Sequence, residues 1–414
     1  MNSANGSGAS RHSTVAGVGG AVTQDESGGP IRVLLMSAIY ENRGCGIADY
    51  TAHLGRGIQA LGCQVEWAAC GEPPADAHTL PLLSRRIVGS WSMASVLALA
   101  RDLAHRDPTI VHLQYPGKLF RRSAGVALAP LVFRAVARVP FVSTLHVLSK
   151  MRSFKKPPFI GLALTSNGTV VTAPAERAYL ARYGVAHRSI VVPIASNFRP
   201  GGGGDVEPAM AERLGIPPGV TLGCTFGLIE ANKRLERVLE ALSQVSGDVH
   251  WVFLGPFDPE RDAYHRRLQT TAESLGLAHR VHWAGYRSQP EVEGILRLVD
   301  LAVLLYPDGI SWQRTALIAA MERGLAVVAN AGKDTPPDLA HGQTLLLVSD
   351  DRVESLAACI RRLQQDSRLR EALGAAARQL AASRPDWVRV AEMHVELYRQ
   401  FARGTRPRGS ISAR

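Results

Sequence analysis

The sequence predicts an α/β protein built from two doubly wound domains. At 414 residues the chain exceeds what one hydrophobic core ordinarily organises. In both halves short apolar runs bounded by Gly, Pro and Asn alternate with stretches of helical periodicity. Between the halves lies a Gly- and Pro-rich break, NFRPGGGGDVEPAMAERLGIPPG (197–219), suited to an interdomain linker.

IRVLLMSAI (31–39) is a continuous apolar run, the pattern of a parallel strand buried on both faces. After the loop YENRGCG, Ile47, Tyr50, Leu54, Ile58 and Leu61 fall at helical spacing and Gly62 ends the helix. Further strands are predicted at CQVEWAA, TIVHLQY, PFVSTLHV, TVVTA and SIVVPIA. Beyond the break come TLGCTFGLI, a helix carrying Leu235, Val238, Leu239 and Leu242, and then VHWVFLG, VHWAGY, LAVLLYP, GLAVVANAG and TLLLVSD. The expected bounds are a disordered leader at 1–30, an N-terminal domain at 31–197, a linker at 198–219, a C-terminal domain at 220–385, a last helix at 386–403 and a basic tail at 404–414.

No apolar run reaches the ~20 residues of a membrane span. The longest, SAGVALAPLVFRAVARVPF, is interrupted by Pro130, Arg134 and Arg138. Five cysteines (45, 63, 70, 224, 359) show no metal-type spacing and suit reduced thiols in a cytoplasm. The net charge of +11 becomes +7 when the four tail arginines are set aside. Such an excess suits anionic ligands or an anionic membrane face, and no recognition-helix or stacking-aromatic pattern points to nucleic acid.

In doubly wound sheets, ligands gather at the carboxyl ends of strands. Four loops there hold candidates. Gly44, Cys45 and Gly46 precede a helix whose start suits an anion, although a tight strand-to-helix turn explains the same glycines. His146 ends an apolar strand, where an imidazole either finds a structural partner or faces a cleft. In TFGLIEANKRLERVLEAL, Lys233 opens a helix against the helix dipole, as a phosphate ligand or as a solvated lysine. PDGISWQRT places Gly309, Ser311, Arg314 and Thr315 around another helix start, again with a cation where the dipole favours an anion.

CGIADYTAHLGRGIQALG, TVVTAPAERAYLARYGV, FGLIEANKRLERVLEAL, VHWAGYRSQPEVEGILRLVDLAVLLYP and TLLLVSDDRVESLAACIRRLQQDSRLREALGAAARQLA follow in order and with suitable spacing. Together they resemble a family 4 retaining glycosyltransferase of the GT-B fold, from about residue 31 to about residue 402. The resemblance implies two facing Rossmann-like domains, with acceptor on the N-terminal one and nucleotide diphosphate sugar on the C-terminal one. It implies that the last helix crosses back to the first domain, anchored by Trp387 and Tyr398. No cofactor or catalytic metal is implied, and the sequence shows no acidic metal cluster. Residue by residue, it implies that Gly46 belongs to a donor-facing loop, that His146 lies beside the transferring sugar, that Lys233 with Gly227 holds the diphosphate and that Tyr286 begins the base-contacting loop.

Two departures stand out. The arginine that accompanies the phosphate lysine falls at Leu228, and the paired glutamates fall at Ser311 and Ala319. Transfer in this fold is thought to proceed on one face, with the departing phosphate oxygen helping to deprotonate the acceptor. Positive charge and N–H dipoles at the leaving group are therefore the main requirement, whereas a glycosidase needs two flanking carboxylates. Ser311, Arg314, Thr315 and the helix-start amides offer a replacement grip.

On the acceptor side, HLQYPGKLFRRSAG and HVLSKMRSFKKPPF mix Lys118, Arg121, Arg122, Lys150, Arg152, Lys155 and Lys156 with Leu119, Phe120, Met151, Phe154 and Phe159. Such a mixture suits a lipid-linked acceptor or peripheral contact with the inner membrane face, or two solvated loops. Gln114 and Tyr115 are candidate contacts to a glycan or small-molecule acceptor. Two functions stay open: a nucleotide-sugar-dependent transferase, and a silent GT-B protein that binds a sugar or a partner.

Overall fold

The computed structural model describes residues 30–40, 45–71, 84–106, 110–120, 123–198 and 207–402. Most of the expected leader, the basic tail, Gly44, Arg121 and Arg122 lie outside the described residues. The N-terminal lobe runs β1 (Arg32–Ile39), α1 (Gly46–Ala60), β2 (Gln64–Cys70), β3 (Ser84–Val88), α2 (Met93–Ala104), β4 (Ile110–Tyr115), α3 (Ala124–Val132), β5 (Phe141–Leu145), α4 (Pro157–Thr165), β6 (Gly168–Val171), α5 (Pro174–Ala181) and β7 (Ser189–Val191). After α6 (Glu207–Arg213), the second lobe runs β8 (Thr221–Phe226), α7 (Leu235–Ser243), β9 (Val249–Leu254), α8 (Ala263–Ser274), β10 (Val281–Gly285), α9 (Gln289–Leu298), β11 (Leu301–Leu304), α10 (Thr315–Glu322), β12 (Ala326–Asn330) and β13 (Leu346–Val348). Helices α11 (Val353–Gln365), α12 (Ser367–Ala382) and α13 (Trp387–Ala402) close the chain.

The seven-stranded sheet has the order β3-β2-β1-β4-β5-β6-β7, and the six-stranded sheet the order β10-β9-β8-β11-β12-β13. All pairings between these strands are parallel. Parallel strands must bury both faces, and the period of two in β1 shows how. Val33 and Leu35 enter the apolar cluster under α1 and α13, whereas Leu34, Met36 and Ala38 enter the one under α2, α3 and α4. The second lobe repeats the plan, with α9, α10 and α12 on one face and α7, α8 and α11 on the other.

Helix α13 crosses back onto the first lobe. Its Trp387 Nε1 donates to Ser196 O (2.6 Å), and its Tyr398 OH pairs with His112 Nδ1 (2.5 Å). Close approach needs glycine on the facing helix: a Cβ at Gly57 of α1 would lie 2.7 Å from that of Ala391. The break predicted as a linker at 198–219 is not structureless. It contains α6, whose Met210 is fully buried in the second lobe's core, and Phe198 packs on Phe226. β3, absent from the sequence reading, is an edge strand of SRRIV. Two arginines in five residues conceal the apolar pattern, which edge strands do not require.

Candidate active site

In each lobe the crossovers diverge beside the first strand, which leaves a crevice at the strand ends. In the second lobe that point lies between β8 and β11. The loop after β8 delivers Lys233, and the loop after β11 delivers Arg314. Both line one cleft of about 450 Å³ between the lobes, walled on the other side by α1 through Gly46, Asp49, His53 and Arg56.

Lys233 does not open a helix. It closes a short 3-10 turn (Ala231–Lys233), and Arg234, left-handed at φ 51°, leads into α7. Its Nζ donates to Phe226 O at 3.2 Å. The ammonium occupies the space beside Gly227 (φ 97°), where a Cβ would come within 2.8 Å of it, so glycine makes room for the cation. Burial pushes the Lys233 amine down to about 8; Glu230 opposes this and Arg314 adds to it.

Arg314 lies 3.9 Å over the Tyr306 ring. Burial lowers its pKa against the pull of Tyr306, Asp308 and Asp334, and among the described residues no acceptor takes its buried Nε–H. The N-cap residue of α10, Arg314, makes no side-chain cap hydrogen bond among the described residues, and Thr315 and Ala316 at that start line the cleft. Four cations, Arg56, Lys233, Arg287 and Arg314, face two acids, Asp49 and Glu230, on the cleft wall. Two desolvated cations that repel one another beside a helix start present the charge and N–H donors that suit a multiply charged anion.

The description "Glycosyltransferase Family 4" matches residues 45–194, and "Glycosyl transferases group 1" matches residues 220–366. The chain belongs to the family 4, group 1 glycosyltransferases. Solved structures agree on the fold. A sucrose-phosphate synthase from Thermosynechococcus elongatus superposes with TM-score 0.68 at 19% identity, covering 90% of this chain and 100% of that one. Anabaena HepE, in complex with UDP and glucose, gives 0.70 at 16% identity, covering 88% and 98%. A glycosyltransferase from Rickettsia africae gives 0.70 at 14% identity, covering 91% and 100%. Among curated proteins the sequence finds no match.

Of the residues predicted for this glycosyltransferase, Gly46, Gly227, Lys233, Tyr286, Arg314 and Thr315 line the cleft. Others do not. Cys45 is half-buried just before α1, and burial raises its thiol pKa. Gly309 (φ 85°) turns the backbone against the next loop, where a Cβ would lie 2.8 Å from Thr335 Oγ1. Ser311 is 5% exposed, and its carbonyl accepts the Arg314 N–H at 3.1 Å. Ala319 is fully buried in the core.

The expected catalytic His146 and the expected acceptor contacts Gln114 and Tyr115 are all buried side chains. His146 does not line the cleft. Its ring is buried edge-on to Tyr50, with centroids 4.9 Å apart, and Nε2 donates to Gln114 Oε1 at 3.0 Å. Burial, aided by His394, pushes the His146 imidazole down to about 3, so it is neutral. Gln114 and Tyr115 are likewise buried, because β4 is a central strand covered on both faces. Tyr115 packs between Phe120 and Phe159.

Sequence reading missed the α1 wall and Gln313. Asp49, His53 and Arg56 do fall at i, i+4 and i+7, a polar stripe on one helical face. That spacing marks the face but not what it opposes.

Proposed function

We propose that the protein transfers a sugar from a nucleotide diphosphate sugar to a hydroxyl of a glycan, lipid-linked glycan or small-molecule acceptor, with retention of configuration. The observation that carries this reading is the pairing of Lys233 with Arg314 in one cleft, which supplies the charge a departing diphosphate needs. The bond from the anomeric carbon to the phosphate oxygen breaks as the acceptor oxygen bonds that carbon on the same face. The acceptor proton leaves on the freed diphosphate. No step in this scheme needs a metal ion or the missing carboxylates at 311 and 319, and the buried His146 acts through packing and its bond to Gln114.

Residues 108–175 hold nine Lys and Arg (118, 121, 122, 134, 138, 150, 152, 155, 156) and no Asp or Glu. Within that stretch Phe154 is 66% exposed, Leu128 and Leu131 of α3 are exposed, and so is Leu164 of α4. This combination supports peripheral contact of the first lobe with an anionic, cytoplasmic membrane face. No described helix is long and apolar enough to cross a membrane. Binding only to neutral vesicles in co-sedimentation excludes the contact.

A thermal-shift panel of UDP, GDP, ADP and their sugars tests the donor reading: one nucleotide should raise the melting temperature, and silence across the panel overturns it. Proton NMR of the product then reads the anomeric configuration. Binding without transfer to any hydroxyl acceptor supports the silent binding protein, which the loss of both carboxylates favours.

A further inference from the structure

Beside the cation pair, one buried carboxylate of the first lobe organises two residues that meet the second lobe. Glu176, fully buried at the start of α5, accepts from Ser149 N (3.1 Å) and Ser149 Oγ (3.2 Å) on one oxygen. Its other oxygen accepts from Thr172 N (2.9 Å) and Thr172 Oγ1 (3.2 Å). A threonine hydroxyl that donates its hydrogen to a carboxylate keeps its lone pairs for a donor. Gln313 of the second lobe fills that role, with Nε2 donating to Thr172 Oγ1 at 2.7 Å. Ser149 Oγ also lies 3.5 Å from Gln313 Oε1, so one amide meets both residues that Glu176 organises.

The residues on either side of this contact are those of the site. Gln313 directly precedes Arg314 and lines the cleft. Ser149 lies three residues beyond His146, past Val147, which is held left-handed at φ 61° and ψ 25°. β-Branched residues rarely adopt that conformation, and it persists only where the surroundings impose it. Both hydrogen bonds from Ser149 to Glu176 help to impose it.

We propose that Gln313 and Thr172 are positioning residues: a latch, anchored by Glu176, that holds the lobes in register and fixes the Arg314 backbone against the leaving diphosphate. This rests on the transferase reading for its catalytic consequence, but not for its geometric one. Holding reacting groups in register is where fixed geometry gains most rate. Gln313 needs no direct contact with either substrate.

The test uses full-length protein with Gln313→Ala, Thr172→Val, the double variant and Thr172→Ser. Each of the first two should lower turnover about tenfold, the scale of one buried hydrogen bond. Turnover is read as nucleotide released from its sugar conjugate. The calorimetric Kd for whichever of UDP, GDP or ADP stabilises the protein should weaken by less than turnover falls, because the latch positions Arg314 and leaves Lys233 and the cationic side chains in place. The double variant should be no slower than either single one, and Thr172→Ser should keep wild-type turnover. Small-angle scattering of ligand-free Gln313→Ala should show a larger radius of gyration at unchanged melting temperature. Wild-type turnover in both single variants, or effects that multiply in the double variant, overturns the latch. If the wild type binds no nucleotide, the transferase reading fails alone, and unchanged scattering then decides against the latch.

Discussion

Replacing Lys233 with methionine tests the site at its most sensitive point. The ammonium is held by one carbonyl, and burial has moved it from its ordinary 10.5 to about 8. At 1.36 kcal/mol per unit, burial penalises the charged form by roughly 3 kcal/mol. A diphosphate offsets that penalty by adding counter-charge to that of Glu230. Lys233→Met should therefore cost ~1.5–3 kcal/mol, or about 10- to 150-fold in nucleotide affinity. A pH signature accompanies the loss. Below pH ~8 the amine is already charged and affinity is flat, whereas above it binding must take up a proton and weakens by up to tenfold per unit. Nucleotide phosphates are fully ionised there, with a second pKa near ~6. Calorimetry in buffers of different ionisation enthalpy, from pH ~7.5 to ~9.5, reads both affinity and proton uptake. Wild-type affinity independent of pH, or a methionine variant within threefold of wild type, refutes the assignment.

Acid should loosen the first lobe. His146 and His394 are buried and pushed to about 3 and about 4, so the unfolded chain binds more protons below pH ~6.5 and stability falls as pH drops, by ~1.4 kcal/mol per unit for each imidazole. A calorimetric melting temperature that stays level from pH ~6.5 to ~4.5 contradicts this. Gly57→Val forces the added side chain against Ala391 of α13 and should cost ~1–3 kcal/mol in denaturant unfolding. Ala319→Glu, which restores a family carboxylate, should lower stability by ~3 kcal/mol or more rather than aid binding, because the site is fully buried among apolar residues. Tighter nucleotide binding at unchanged stability shows instead that position 319 reaches the cleft.

Parallel strands buried on both faces announce themselves as unbroken apolar runs, which is why twelve of the thirteen strands among the described residues could be read from sequence and the arginine-bearing edge strand β3 could not. The donor loops were legible for a local reason. A cation beside a helix start and a glycine before it are visible within ten residues of Lys233. The surroundings of His146 were not legible because they are assembled from afar: Gln114 on β4, Tyr50 on α1 and His394 on α13 are brought together only by tertiary packing. For the same reason Gln313 passed unnoticed, since its partners Thr172 and Ser149 lie in the other lobe.

Helix α13 also dictates when the first lobe can finish folding. The apolar layer beneath α1 includes Val390, Ala391, Met393, Val395, Leu397 and Tyr398, yet β7, the lobe's last strand, ends at Val191. As the chain leaves the ribosome, that layer stays open until the whole second lobe has been synthesised, and the half made first is completed last. Truncation before Trp387 would thus strip its covering from the lobe at the opposite end of the sequence.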